Sequence, residues 1–196
     1  MAGDLYITGD AAADELLNTD GTALLIGMLL DQQVPMEWAF TGPATLRQRL
    51  GHLDATKIAA LGEDEFVEVC AQKPAVHRFP ASMGRRIHAL CTVLADEYDG
   101  RAERLWADAA DGRELARRLK ALPGFGDEKT KIFVALLAKR QDVRLPGWEQ
   151  AAGLFADATP RSVADVHDDA SLTKVREWKR AQKAAKKDKQ DRAVSG

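Results

Sequence analysis

Two short segments of this 196-residue chain combine residue types that can do chemistry. The first is Leu122-Pro123-Gly124-Phe125-Gly126-Asp127-Glu128-Lys129-Thr130, where one apolar-periodic segment stops at Pro123 and another starts just after Gly126. Glycine accepts backbone angles closed to other residues, and without a side chain it lets an approaching group touch the main chain. A tight hairpin built this way leaves free N–H groups at the start of its second helix, where the helix dipole favours an anion. A backbone phosphate of DNA fits such a place, and a contact of that kind positions a protein without reading sequence. A plain helix–glycine–helix turn has the same spelling, so the hairpin alone does not settle a function. The second segment is Leu29-Leu30-Asp31-Gln32-Gln33-Val34, which sets a carboxylate and two amides at the end of the apolar run Ala23–Leu30. The two glutamines read either as the polar C-terminus of a helix or as a wedge presented to a ligand.

The elements that position these segments all read as helices. Thr19-Asp20 caps a helix to about Val34, ended by Pro35, and a second spans about Met36 to Leu50 with a break or kink at Gly42-Pro43. Apolar stripes at helical spacing mark Glu63–Gln72, Ser82–Tyr98, Arg113–Ala121 and Glu128–Arg140. Pro146-Gly147 interrupts, Trp148–Ala156 resumes, and Thr159-Pro160 is a further start signal. No segment alternates with β-branched enrichment, so the expected fold class is all-α, in short helices.

Composition sets outer limits. The formal net charge is −2, yet Lys174–Arg192 holds nine basic and three acidic residues, so a +6 tail follows a −8 body. That tail is either a handle for a polyanion or a solvated terminal helix. Two cysteines, Cys70 and Cys91, are too few for a disulfide scaffold, a thiolate zinc site or a four-cysteine iron–sulfur cluster. The eight-residue run Ala23–Leu30 falls short of the roughly 20 residues a membrane span needs, and no secretory signal pattern is read, so the expected location is cytoplasmic. His52, His77, His88 and His167 are scattered and form no metal-ligand spacing, so no metal or other cofactor is expected.

Leu-Pro-Gly-hydrophobic-Gly between two apolar helices resembles the helix-hairpin-helix of the HhH-GPD base-excision DNA glycosylases, and Leu29–Val34 resembles the family's Leu-x-Gln wedge segment. The order of elements agrees from about Thr19 to Phe155. The resemblance implies a two-lobed helical fold over residues 1–173, with the hairpin at 113–140 and the basic helix or tail at 174–196 as an appendage. It implies a monomer that bends double-stranded DNA and flips a damaged base into a cleft between the lobes. Gln32, Gln33, Leu122, Gly124, Phe125, Gly126, Lys129 and Thr130 would be the DNA-binding residues, with Gln33 or Gln32 filling the gap left by the base.

The resemblance fails at one position. Asp142-Val143-Arg144-Leu145-Pro146-Gly147-Trp148 is similar to the Asp-Val-x-Leu-Pro-Asp-Asp stretch of 3-methyladenine glycosylase II, whose final Asp stabilises the cationic sugar as the base leaves. Here that position is Trp148. Glu149 and Asp31 are the substitute candidates for the catalytic acid, Glu149 by proximity and Asp31 by its place beside the wedge. Trp148 would line the base pocket or pack in the core. The Schiff-base lysine of strand-cutting members falls on Glu128, with Lys129 next to it, so a glycosylase without lyase activity is expected. One cleft lined by Asp31, Gln33, Trp148 and Glu149 is the structural expectation. The competing reading is a non-catalytic module for damaged DNA that has lost the acid.

Overall fold

The first two helices each begin at a carboxylate that their own sequence supplies. In the computed structural model, which describes residues 3–194 and side chains as far as residue 185, Asp10 accepts from Ala12 and Ala13 N–H to open α1 (Ala11–Thr19). Asp20 accepts from Ala23 N–H at 3.0 Å to open α2 (Gly21–Leu30). All ten residues of α2 are buried, as expected of an apolar helix at the centre of a core. The chain continues through α3 (Met36–Leu50), α4 (Ala55–Ala60), α5 (Glu63–Ala71), α6 (Pro80–Tyr98), α7 (Arg104–Ala107), α8 (Gly112–Lys120), α9 (Asp127–Arg140), α10 (Trp148–Ala152) and α11 (Asp169–Val194). Two 3₁₀ turns, Gly153–Phe155 and Val163–Asp165, lie between α10 and α11. There is no strand among the described residues, and the all-α expectation holds.

α4 and α5 pack on α6 to make one lobe, and α8, α9 and α10 pack together to make the other. α2 serves both. It packs against α6, and Leu29 near its C-terminus lies beside the hairpin turn at Gly124.

Three boundaries differ from the sequence expectation, each for a local reason. α2 stops at Leu30 because the backbone already leaves the helical region at Asp31 (φ −71°, ψ 72°), and Gln33 then turns left-handed with φ 58°. α3 runs unbroken through Gly42-Pro43: a Cβ on residue 42 would sit 2.4 Å from Leu30 Cδ1, so the glycine serves close packing of α3 on α2 rather than a break. Thr159-Pro160 opens no helix. Ser162 does so instead, through a capping box with Asp165.

α11 begins at Asp169, ahead of Lys174, and buries Leu172 and Val175 against the body. The side chains of Lys186, Lys187, Lys189 and Arg192, part of the basic tail read from the sequence, lie outside the described residues. Cys70 and Cys91 are buried thiols, and burial pushes both up to about 12, so neither is a nucleophile at neutral pH. No helix among the described residues is long and apolar enough to cross a membrane.

Candidate nucleic-acid interface

The hairpin forms where the glycines sit, and the two glycines do different work. Gly124 has φ +82°, a conformation that strains other residues, and a Cβ there would approach Leu29 Cγ at 3.4 Å. Gly126 caps α9 with φ −89° and has nothing within 4 Å of where a Cβ would stand. Neither its backbone nor its neighbours require glycine, so what it provides is open space beside the main chain. No side chain caps α9, so the N–H groups of its first turn face that space without a side-chain partner. Two acidic residues stand there as well. Asp127 is tied to Lys120 at 2.6 Å, which holds its carboxyl below the usual range, and Glu128 is exposed.

Among the other expected DNA contacts, Leu122, Phe125 and Thr130 are buried. Phe125 stacks edge-on against Phe133 with centroids 5.8 Å apart. Their side chains build the hairpin, so any contact with DNA at these three positions runs through the main chain.

The two glutamines also separate. Gln32 turns inward: its Nε2 donates to Leu29 O at 2.9 Å and to Met83 Sδ at 3.2 Å, and its Oε1 accepts from Arg86 at 3.3 Å. Gln33, held in the left-handed region, is exposed and has no hydrogen-bond partner among the described residues. The turn that presents it is braced by His77, a residue the sequence left without a role. The buried His77 ring accepts the Phe79 N–H at Nδ1 (3.0 Å), which leaves Nε2–H to donate to Gln32 O (2.9 Å).

Directly behind the wedge lies a cavity of about 540 Å³ between the end of α2, the start of α9 and α11. Asp31, Gln33 and Lys129 line it, with Met28, Ile132 and Phe155 as apolar wall. Asp31 is half-buried and its carboxylate has no hydrogen-bond partner among the described residues. Burial pushes its carboxyl above the ordinary carboxylate range. Lys179 and then Lys129 oppose that rise, and Glu37 adds to it. Lys129 donates from Nζ to Leu29 O at 2.5 Å, and burial lowers its ammonium to about 8, with Asp31 opposing and Arg86 adding to the fall. Lys129 is therefore neither a freely solvated lysine nor one already aimed at solvent-borne phosphate. It closes the C-terminus of α2 beside the carboxylate.

Trp148 and Glu149 do not join this site. After α9 the chain turns back only as far as the start of α8, where Gly112 N–H donates to Pro146 O at 2.9 Å. A Cβ on residue 112 would lie 2.7 Å from Trp148 Cα, so the missing side chain is what lets the two backbones meet. Trp148 consequently sits at the Lys139–Arg140 end of α9, lining a separate cavity of about 470 Å³, while Lys129 is at the other end, about 15 Å away at 1.5 Å per residue. Glu149 is exposed and lines neither of these two cavities. The single cleft expected from Asp31, Gln33, Trp148 and Glu149 is thus two places, and only Asp31 and Gln33 share one.

The segment that returns to Asp31 is a later one, through Phe155, Arg161 and Ser162, and α11 closes the far wall with Trp178, Lys179 and Lys183. Arg161 pairs with Asp157 at 2.5 Å and lies 6.0 Å from the Trp178 ring centroid. The spacing Leu172, Val175, Trp178 carried the signal for this wall: an apolar i, i+3, i+6 stripe inside a segment whose lysines drew attention first.

Comparison with known families matches residues 26–193 to the HhH-GPD superfamily of base excision DNA repair proteins. No curated protein and no solved structure matches the chain.

Proposed function

The chain belongs to the HhH-GPD superfamily of base excision DNA repair proteins, and from that premise we propose that it is a DNA glycosylase in which Asp31, and not a residue after the hairpin, supplies the carboxylate. The observation that carries this is the unpaired Asp31 carboxylate in a cavity directly behind the exposed Gln33. An enzyme that breaks a glycosidic bond needs negative charge beside the sugar as it becomes cationic, and a preorganised carboxylate in a partly dry site provides it. The bond is inaccessible inside the stack, so the nucleotide must leave the duplex, and Gln33 is the side chain that fills the vacancy. The first turn of α9 with Gly126 takes a backbone phosphate, which fixes register on double-stranded DNA. Lys129 acts as a cation next to the carboxylate rather than as a Schiff-base nucleophile, so the reaction ends at an abasic site. Residues 174–196 add affinity through their positive charge, and the protein acts as a monomer in the cytoplasm.

A second reading has its own support. No carboxylate of residues 141–150 lines the Asp31 cavity, as a repair reader without chemistry would have it. One experiment separates the two. Duplexes carrying uracil, alkylated, oxidised or deaminated bases are incubated with the protein under single-turnover conditions, with abasic-site DNA as the binding control. Excision that falls by about 10²–10³ in Asp31→Asn, the usual size for a lost electrostatic stabiliser, supports the enzyme. Tight abasic-site binding with no excision of any base supports the reader.

A further inference from the structure

The side chains that α11 brings to the Asp31 cavity bear on which bases it accepts. Lys129, Lys179 and Lys183 line it against Asp31 and Glu128, and the charge of Arg161 is engaged by Asp157 outside it. The wall is positive on balance. Trp178 and Phe155 are the aromatic side chains of the lining, and the face of a tryptophan ordinarily welcomes a cation. Here Arg161 already lies over that ring at 6.0 Å, so a cationic base would meet both an occupied ring and a lysine-lined wall.

We infer that the cavity selects bases carrying an imide, the uracil-like and xanthine-like products of deamination and oxidation, and rejects N-alkylated cationic bases. This rests on the proposal that the cavity receives a flipped base, and it names the substrate class of that site.

The chemistry of departure agrees with the charge. An N-alkylated purine already carries a positive charge and leaves as a neutral molecule, so it needs a carboxylate for the sugar and gains nothing from lysines. An imide base leaves with the electron pair of the broken C1′–N bond, as an anion delocalised over its carbonyl oxygens. Ammonium groups of Lys129 and Lys179 stabilise that anion while Asp31 balances the sugar cation. Water then adds to C1′, and the proton it releases ends on the departed base, so atoms and charge balance without a further reactant. Opposite charges on opposite sides of one breaking bond are what this transition state calls for, and Asp31 with Lys129 and Lys179 provides them in one cavity.

The test uses the full chain and cleavage-resistant duplexes, identical except for one 2′-fluoro nucleotide bearing xanthine, 7-methylguanine, uracil or an undamaged base. Xanthine and 7-methylguanine are purines of nearly the same size, so their ratio of dissociation constants reads charge rather than fit. The expected result is at least tenfold tighter binding of the xanthine duplex, a ratio that Lys179→Gln lowers at least fivefold and Lys179→Arg largely retains. Equal or tighter binding of 7-methylguanine, or a ratio unmoved in Lys179→Gln, overturns the inference while leaving a base-flipping protein intact. Binding that ignores every modified base overturns the inference together with the flipped-base proposal beneath it.

Discussion

The two ends of α9 carry the same kinds of side chain and treat them in opposite ways. At the Lys139 end three cations have found a carboxylate: Lys139 pairs with Asp165 at 2.7 Å, Arg140 with Asp4 at 3.1 Å and Arg144 with Asp142 at 3.2 Å. At the Lys129 end the ammonium reaches only a carbonyl, and the nearby Asp31 carboxylate has no hydrogen-bond partner among the described residues. Burial shifts both groups there in the direction that disfavours charge. Partly buried charges left without a counter-ion concentrate at functional sites, so the Lys129 end is where function is expected, while the ion pairs of the Lys139 end read as architecture. The contrast also sets Trp148 apart from the proposed site: it lines the cavity at the Lys139 end.

The largest effect should come from the Lys139 end. Asp165→Asn leaves Lys139 charged and nearly buried, and losing one partner of a buried pair should cost about 3 kcal/mol of stability. Denaturant unfolding measures this, and a variant as stable as the parent would mean that this end is not built on its ion pairs.

Next come the two hairpin glycines, which sharpen the contrast inside the working end. Gly124→Val forces a branched residue to φ +82° and should cost about 1–3 kcal/mol. Gly126→Val meets no neighbour and should leave stability within about 0.5 kcal/mol. It should still weaken duplex binding about tenfold, the loss of roughly one charge-assisted contact. Unchanged binding by a folded Gly126→Val protein would remove the hairpin from the interface.

The pH dependence follows from the two shifted groups. The proposed roles need Asp31 ionised and Lys129 charged, so the excision rate should fall on the acid side at a pH above the ordinary carboxylate range, and again on the alkaline side near 8. Lys129→Arg, which stays charged, should move the alkaline limb out of range. The same shift has a smaller consequence for stability. With the folded pKa below the unfolded value of 10.5, the native state binds fewer protons between about 8 and 10.5, and stability should rise with pH across that window. Lys129→Met should flatten the rise. The smallest effect belongs to Trp148→Asp, which places a carboxylate at the Lys139 end of α9, away from the Asp31 cavity, and should confer no gain in excision.

What the sequence revealed and what it hid divide along the distance over which each feature is decided. Asp20, the Leu122–Gly126 turn and the apolar faces of α6 and α9 act within a few residues, and they were readable from spacing. The separation of Trp148 and Glu149 from Asp31 was not, because it depends on where the chain goes after α9, where Gly112 N–H donates to Pro146 O, a contact that no local pattern announces. The inward turn of Gln32 depends on Met83 and Arg86, far away in sequence. The far wall was hidden differently: Trp178 and Lys179 sit in a segment whose composition reads as a solvated tail, and the docking of that helix shows in the buried Leu172 and Val175 and in the pairing of Arg176 with Glu37.

The most direct test of the central claim compares Asp31→Asn and Glu149→Gln side by side, each measured for single-turnover excision and for abasic-site binding. Asp31→Asn should lose excision by about 10²–10³ and keep abasic-site affinity, and Glu149→Gln should match the parent in both. Full excision by Asp31→Asn, or its loss in Glu149→Gln, would contradict the assignment of Asp31 and return the chemistry to the segment after the hairpin.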